Sequence, residues 1–173
     1  MLIGIIIIII SLIFDQVTKQ LAVFYLYQDG VVRYVVAIPK LLELTYVENP
    51  GASFGFGEGL LWLFYVVTIL ALGIFIYLFK DVDFKHKRVY SISVSLFIAG
   101  ALGNFIDRLL FGFVIDFMHF PFLVTLIGNL GNFTNNWADM FLSLAIVLFT
   151  IDLFFLEPKR LKKEKEIHET HND

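Results

Sequence analysis

The chain has 173 residues, of which 58% are hydrophobic, and its mean hydropathy is +0.80; a soluble domain carries only about 45–50% apolar residues even with glycine counted, so a polytopic membrane protein is expected. The formal net charge is only −3, which gives no reason to invoke nucleic acid as a partner. There is no cysteine, which excludes disulfides, thiol catalysis, Cys-based metal sites and a lipid-modified cysteine on this chain.

A helix needs about 20 residues to cross the hydrocarbon core, and four stretches qualify. The first runs from about Leu2 to Leu26 and is interrupted by Asp15 and Lys19. No basic residue precedes its apolar start and no small-x-small site follows it, so an uncleaved span is expected rather than a signal peptide. Next come Val31 to Ile38 and Leu42 to Val47, β-branched or alternating runs on either side of Pro39-Lys40. They predict a small hairpin or sheet at the membrane surface. Asn49-Pro50-Gly51-Ala52-Ser53-Phe54-Gly55 is a turn-rich entry into the second span, Leu60 to Phe79. The third span, about Val89 to Leu110, carries Asp107 and Arg108 near its end. The mixed loop 112–135 suits either a short interfacial helix or a mobile lid. The fourth span runs from about Trp137 to Leu156, with Asp139 near its start and Asp152 alone near its finish. The expected fold is therefore an all-α membrane protein: four transmembrane helices with a small extracytoplasmic β-sheet or hairpin. A single domain covers residues 1–157, with its outer β region at about 29–48. A charged, solvated tail follows at 158–173, and its His168 and His171 have no expected role.

Lysine and arginine set the orientation. Lys80, Lys85, Lys87 and Arg88 follow span two, and Lys159, Arg160, Lys162, Lys163 and Lys165 follow span four. Only Arg33 and Lys40 lie between spans one and two, and no basic residue lies between Gly112 and Asn136. Both termini are expected in the cytoplasm, which places Asp116 and Asp139 at the outer face.

Ionisable groups beside or within a span call for a function. Asp15 and Lys19, four apart on one helical face, suit either an ion pair ordering the bundle or contact with polar groups of a substrate. Asn104, Asp107 and Arg108 share one side of span three, as a polar clasp between helices or with Arg108 snorkelling to the interface. Ala99 and Gly103, four apart, allow tight helix contact. Asp116 and Asp139 flank adjacent spans on the same side. If they meet, one proton is shared and the pair can activate water. Spacing alone favours ordinary surface charges. A metal site is the chemical rival, with Asp116 and His119 on one helix face, but HExxH is absent and zinc prefers more nitrogen or sulfur ligands. Ser53 has no evident histidine partner.

Together Asp15 to Lys19, Asn49 to Phe54, Gly103 to Arg108, Val114 to Phe117 and Asn136 to Asp139 resemble the lipoprotein signal peptidases, or signal peptidase II, over nearly the whole chain. The resemblance implies an aspartic endopeptidase of the bacterial cytoplasmic membrane, acting at its extracytoplasmic face without a metal or cofactor. It would cut the signal peptide from prolipoproteins just before a diacylglyceryl-modified cysteine. Asp116 and Asp139 match the family's catalytic dyad. Asp15, Lys19, Asn49, Gly51, Gly103, Asn104, Asp107, Arg108 and Asn136 match positions that support it or contact substrate. Membrane lipid and the cyclic peptide antibiotic globomycin are the further partners implied. One motif departs: Asn135 stands where the family usually has Phe before the Asn-x-Ala-Asp of Asn136 to Asp139. That bears on how the loop packs over the site more than on the chemistry. The competing classes are a small transporter or channel subunit, with Asp15, Lys19, Asp107 and Arg108 lining a polar path, and a non-catalytic scaffold that binds lipidated proteins.

Overall fold

The computed structural model describes residues 1–51 and 61–170. Ala52 to Gly55 of the turn-rich motif, Leu60 at the expected start of span two, and His171 lie outside the described residues.

Helix α1 is Leu2–Leu26. Strands β1 (Tyr27–Gln28), β2 (Val31–Val32), β3 (Val35–Ile38) and β4 (Leu42–Asn49) follow, then helix α2 (Leu61–Leu78) with a 3-10 turn at Phe79–Asp81. Helix α3 is Arg88–Phe111, β5 is Val114–His119, α4 is Pro121–Ile127 and β6 is Thr134–Asn135. Helix α5 is Trp137–Ile151, and a π-helical turn at Asp152–Leu156 carries it into α6, Glu157–Thr170. Four helices among the described residues are long and apolar enough to cross a membrane: Leu2–Leu26, Leu61–Asp81, Arg88–Phe111 and Trp137–Ile167. The first and third match the expected spans to within one residue at each end, and the second ends within two residues of its expected end. The fourth is longer, because the charged segment after Leu156 continues as the helix Glu157–Thr170. Pro158 lacks the N–H that would bond to the carbonyl of Phe154, and the wider π turn absorbs that loss.

Helix α3 is the centre of the bundle. Ser91, Ser93, Ser95, Ala99, Gly100, Ala101 and Gly103 are all buried, and small residues let neighbouring backbones approach closely. A Cβ on Gly100 would lie 2.5 Å from the carbonyl oxygen of Ala138, so α5 can cross there only over glycine. The outer helices show lipid the faces that α3 does not need. Ile5, Ile6, Ile9, Ile10 and Ile13 of α1, and Val66, Val67, Ile69 and Leu70 of α2, are exposed.

The β structure is larger than a hairpin. Tyr27–Gln28 pairs with Val31–Val32 around Asp29 and Gly30, whose φ values of 52° and 77° suit a two-residue hairpin turn. A second sheet of four antiparallel strands runs in the order β3-β4-β5-β6. The expected hairpin supplies β3 and β4; the loop after α3 supplies β5 and β6. Within the loop 112–135, which suited a short interfacial helix or a mobile lid, Val114 to His119 is a strand aligned with β4, Val47 opposite Asp116 and Asn49 opposite Val114. Only Pro121–Ile127 is helical, followed by a 3-10 turn at Gly128–Gly131. The sheet contributes Tyr46, Phe117 and Met118 to one buried cluster with Ala22 and Leu26 of α1. That contact seats the sheet on the end of the bundle.

At the other end, Asp152 is not alone. It is 1% exposed and accepts two hydrogen bonds from Arg160, from Nη1 at 2.9 Å and Nη2 at 2.6 Å.

Candidate active site

Three elements converge where the sheet meets the bundle: the start of β5, the last turns of α3 and the first turn of α5. Asp116 sits on β5 and is 2% exposed. Its Oδ1 accepts from Asn136 Nδ2 at 2.7 Å and its Oδ2 from Asn49 Nδ2 at 2.8 Å. Asp139 is the third residue of α5. Asn136 caps that helix through a reciprocal pair: Asn136 Oδ1 accepts from Asp139 N–H at 3.0 Å, and Asp139 Oδ2 accepts from Asn136 N–H at 3.2 Å. This is the capping-box arrangement. Asp139 Oδ1 accepts from Asn104 Nδ2 at 2.7 Å. Asn136 therefore binds both aspartates, one with its side chain and the other with its cap.

Both carboxylates line one cavity of about 290 Å³. Its polar end holds Asn49, Gly51, Asn104, Arg108 and Thr134 with the two aspartates; its apolar wall is built from Val67, Ala71, Phe97, Ala101 and Leu142. Burial pushes the Asp116 carboxyl up to about 7, and the charge of Asp139 pushes in the same direction. The amides of Asn49 and Asn136 pull against both. Arg108 donates through Nη2 to the Gly51 carbonyl at 2.9 Å and stacks over Phe64 at 4.7 Å, so it ties the described end of the turn motif to α3.

Asp15, Lys19 and Asp107 form a separate, closed unit behind the cavity. Each is 0% exposed. Lys19 Nζ donates to Asp15 Oδ2 at 2.9 Å, Asp107 Oδ2 at 2.9 Å and Asn104 Oδ1 at 3.0 Å, which uses all three ammonium hydrogens. The two carboxylates also reach the backbone. Asp107 Oδ2 accepts from Ile115 N–H at 3.1 Å, and Asp15 Oδ1 accepts from Ala138 N–H at 2.8 Å. Those are the backbone groups one residue before Asp116 and Asp139. The ion cluster therefore fixes the placement of both aspartates without reaching the cavity. Gly103 makes this possible, because a Cβ there would lie 2.6 Å from Asp15 Oδ2.

The sequence reading left out Gln16, although its motif contains it. Gln16 Nε2 donates to Asp107 Oδ1 at 3.0 Å and to the Gly103 carbonyl at 3.2 Å. A polar side chain inside an apolar span was the available signal. Thr68 and Thr134 at the cavity, and Tyr65, whose hydroxyl donates to the Arg108 carbonyl at 2.7 Å, carried no comparable motif.

The metal rival needed Asp116 and His119 on one helix face. They lie on a strand instead, where residues three apart point to opposite faces. His119 Nδ1 pairs with Glu43 Oε2 at 2.9 Å across the sheet. Among the described residues no group of three or more His, Asp or Glu side chains is arranged to hold a metal ion.

Residues 7–155 match the family model of signal peptidase (SPase) II. A lipoprotein signal peptidase of Thermodesulfovibrio yellowstonii is 40% identical over 143 residues, covering 80% of this chain and 85% of that protein. One from Listeria welshimeri is 36% identical over 140 residues, covering 81% and 85%. One from Latilactobacillus sakei is 38% identical over 132 residues, covering 76% and 78%. Among solved structures, a bacterial membrane enzyme determined in meso at 2.3 Å superposes with a TM-score of 0.73 at 34% identity, covering 87% of this chain and 86% of that one. A second, at 1.9 Å, gives 0.72 at 33% identity, covering 88% and 93%. A two-aspartate cavity at the end of four apolar spans, matched over most of its length by sequence and by fold, makes this bacterial membrane protein a peptidase belonging to the signal peptidase II family.

Proposed function

We propose that the cavity hydrolyses signal peptides from lipoprotein precursors, with Asp116 and Asp139 as a proton-sharing dyad. The observation that carries this reading is the pair of carboxylates brought from different elements to one cavity and tied to one residue, Asn136. In the singly protonated pair, the ionised carboxylate takes a proton from water as its oxygen attacks the scissile carbonyl. The protonated carboxyl gives its hydrogen to the carbonyl oxygen. Collapse of the tetrahedral intermediate breaks the C–N bond, and the dyad returns a proton to the departing nitrogen.

The substrate is a diacylglyceryl-modified precursor, cut before its lipidated cysteine. The apolar wall of Val67, Ala71, Phe97 and Leu142 supports this, since a lipid-borne substrate reaches the polar end sideways from the bilayer. Globomycin, an apolar cyclic peptide, would compete for the same space. The basic residues after spans two and four support cytoplasmic termini and an outer active site. A transport path is less well supported, because Asp15, Lys19 and Asp107 satisfy one another in a closed cluster and Asp152 is taken up by Arg160.

The decisive experiment is cleavage of a diacylglyceryl-modified precursor by the purified protein. Asp116→Asn and Asp139→Asn are each expected to lower turnover by at least about 10³-fold, with thermal unfolding still cooperative. Near-normal turnover in either variant would end the dyad assignment. The unlipidated precursor, run alongside, should be cut far more slowly.

A further inference from the structure

A second pocket lies at the opposite end of the spans from Asp116, between the turn after α2 and the start of α6. It has a volume of about 410 Å³. Lys85, Arg88, Lys159 and Lys163 line it, and among the described residues no acidic side chain does. None of these four forms an ion pair among the described residues. His86 and Arg160 also line the pocket, but each already has a carboxylate partner: Asp83 at 2.7 Å and Asp152 at 2.6 Å. The Asp83 carboxyl is held down at about 2, chiefly by its hydrogen bond with His86. Asp83 and Asp152 are thus committed to His86 and Arg160, and four cations face one space in a chain whose net charge is −3.

Two further features give this space a ligand chemistry. The first is the N-terminus of α3. Its cap residue, Lys87, makes no side-chain cap bond, its first turn holds no acid, and Val89 of that turn lines the pocket. Unpaired N–H groups and the positive end of a 24-residue helix favour an anion. The second is the apolar flank. Leu156 lines the pocket, and Leu153, Phe154 and Phe155 are exposed one turn further into the span. A cationic cup above an apolar strip matches a phosphate headgroup above acyl chains; a free phosphate ester would have no use for the strip.

We propose that this pocket binds one anionic phospholipid by its headgroup phosphate, clamped between Lys85 and Arg88 on one side and Lys159 and Lys163 on the other. The bound lipid would bridge the α2–α3 turn to the start of α6. The site is independent of the peptidase reading, because none of its residues touches the dyad cavity.

The test uses the purified full chain in phosphatidylcholine micelles containing phosphatidylglycerol, with bound lipid counted by native mass spectrometry. The double variant Lys159→Gln/Lys163→Gln is compared with Lys162→Gln/Lys165→Gln, which removes the same charge from the same helix outside the pocket. Phosphatidylglycerol retention is expected to fall on the order of tenfold in the first and less than about twofold in the second. Equal losses would mean diffuse attraction to a basic helix and would overturn the proposal, as would no loss in either. Displacement of the bound lipid by millimolar glycerol 3-phosphate would also overturn it, assigning the pocket to soluble phosphate esters. A variant pair that elutes and melts like the parent keeps misfolding out of the comparison.

Discussion

At the residue scale, the site shows how a membrane protein keeps carboxylates where charge is costly. Asp15 and Asp107 are buried beside Lys19, and each also accepts from a backbone N–H; a charge buried there without partners would carry a desolvation penalty of several kcal/mol. Asp116 is treated differently. Its partners are neutral amides, Asn49 and Asn136, which hold the group in place without cancelling its charge. Burial and the charge of Asp139 therefore push its carboxyl from 3.8 to about 7. Because repulsion from a charged Asp139 contributes, this is the step in which the pair loses its last proton, and it belongs to the pair as a whole. If the proposed dyad is active with one proton, kcat/KM is expected to fall about tenfold per pH unit above about 7. A profile that stays flat from pH 6 to 9 would show that no shared proton is needed. Stability follows the same proton. The folded chain binds it more tightly than the unfolded chain, so the contribution is fully present below the ordinary value of 3.8 and is lost as pH rises through about 7. The Asp15–Lys19 pair was legible from its spacing of four. That Asp107 closes it from another helix was not, because spacing within one helix says nothing about contacts between helices.

At the element scale, the spans were readable because long apolar runs have few alternatives. Strand β5 was not, for a physical reason. Val114, Ile115, Asp116, Phe117 and Met118 are all buried, so both faces of the strand are covered and no alternation survives. Beside a transmembrane helix such a run reads as more apolar loop. The β3–β4 hairpin was visible because β4 retains polar positions, Glu43, Thr45 and Glu48. The Asp152–Arg160 pair was hidden as well: eight residues apart across a π turn, it follows no α-helical spacing rule. The crossing of α3 and α5 is the element contact on which the site most depends, since α5 carries Asp139 and α3 carries Asn104. Gly100 sets its distance. Gly100→Ala would place a Cβ 2.5 Å from the Ala138 carbonyl and 2.8 Å from Leu142 Cγ. The first contact is backbone, so α5 itself must move, at a cost of about 1–3 kcal/mol. Gly73 on α2 has nothing within 4 Å of the same position, and there alanine gains helix propensity. Gly100→Ala is expected to lower the melting temperature by several degrees and turnover by at least about tenfold, while Gly73→Ala leaves both unchanged or slightly raised. Equal behaviour of the two variants in unfolding and cleavage assays would show that the crossing does not position Asp139.

At the scale of the whole molecule, the chain is polar at both ends in different ways. One end carries the four-stranded sheet and the dyad cavity; the other carries nine of the 13 lysines and arginines. Of the remaining four, Lys19 and Arg108 are buried in the bundle, which leaves only Arg33 and Lys40 on the sheet side. A bias of nine to two over short connections orients a membrane protein with the basic end in the cytoplasm. On the proposed orientation the two aspartates would face outward, where exported precursors arrive. The absence of cysteine makes this directly measurable, because any cysteine introduced reports alone. Asn129→Cys, exposed beyond α4, is expected to react with a membrane-impermeant maleimide in intact cells. Lys162→Cys, exposed on α6 with its side chain 81% accessible, is expected to react only after the membrane is opened. Neither position touches the cavity or the ion cluster, so cleavage activity should persist and certify the fold of each variant. The reverse labelling pattern would put the dyad on the cytoplasmic side, where a precursor still threaded outward could not present its cleavage site. Labelling of both positions in intact cells would mean mixed insertion and a charge bias too weak to orient the four spans.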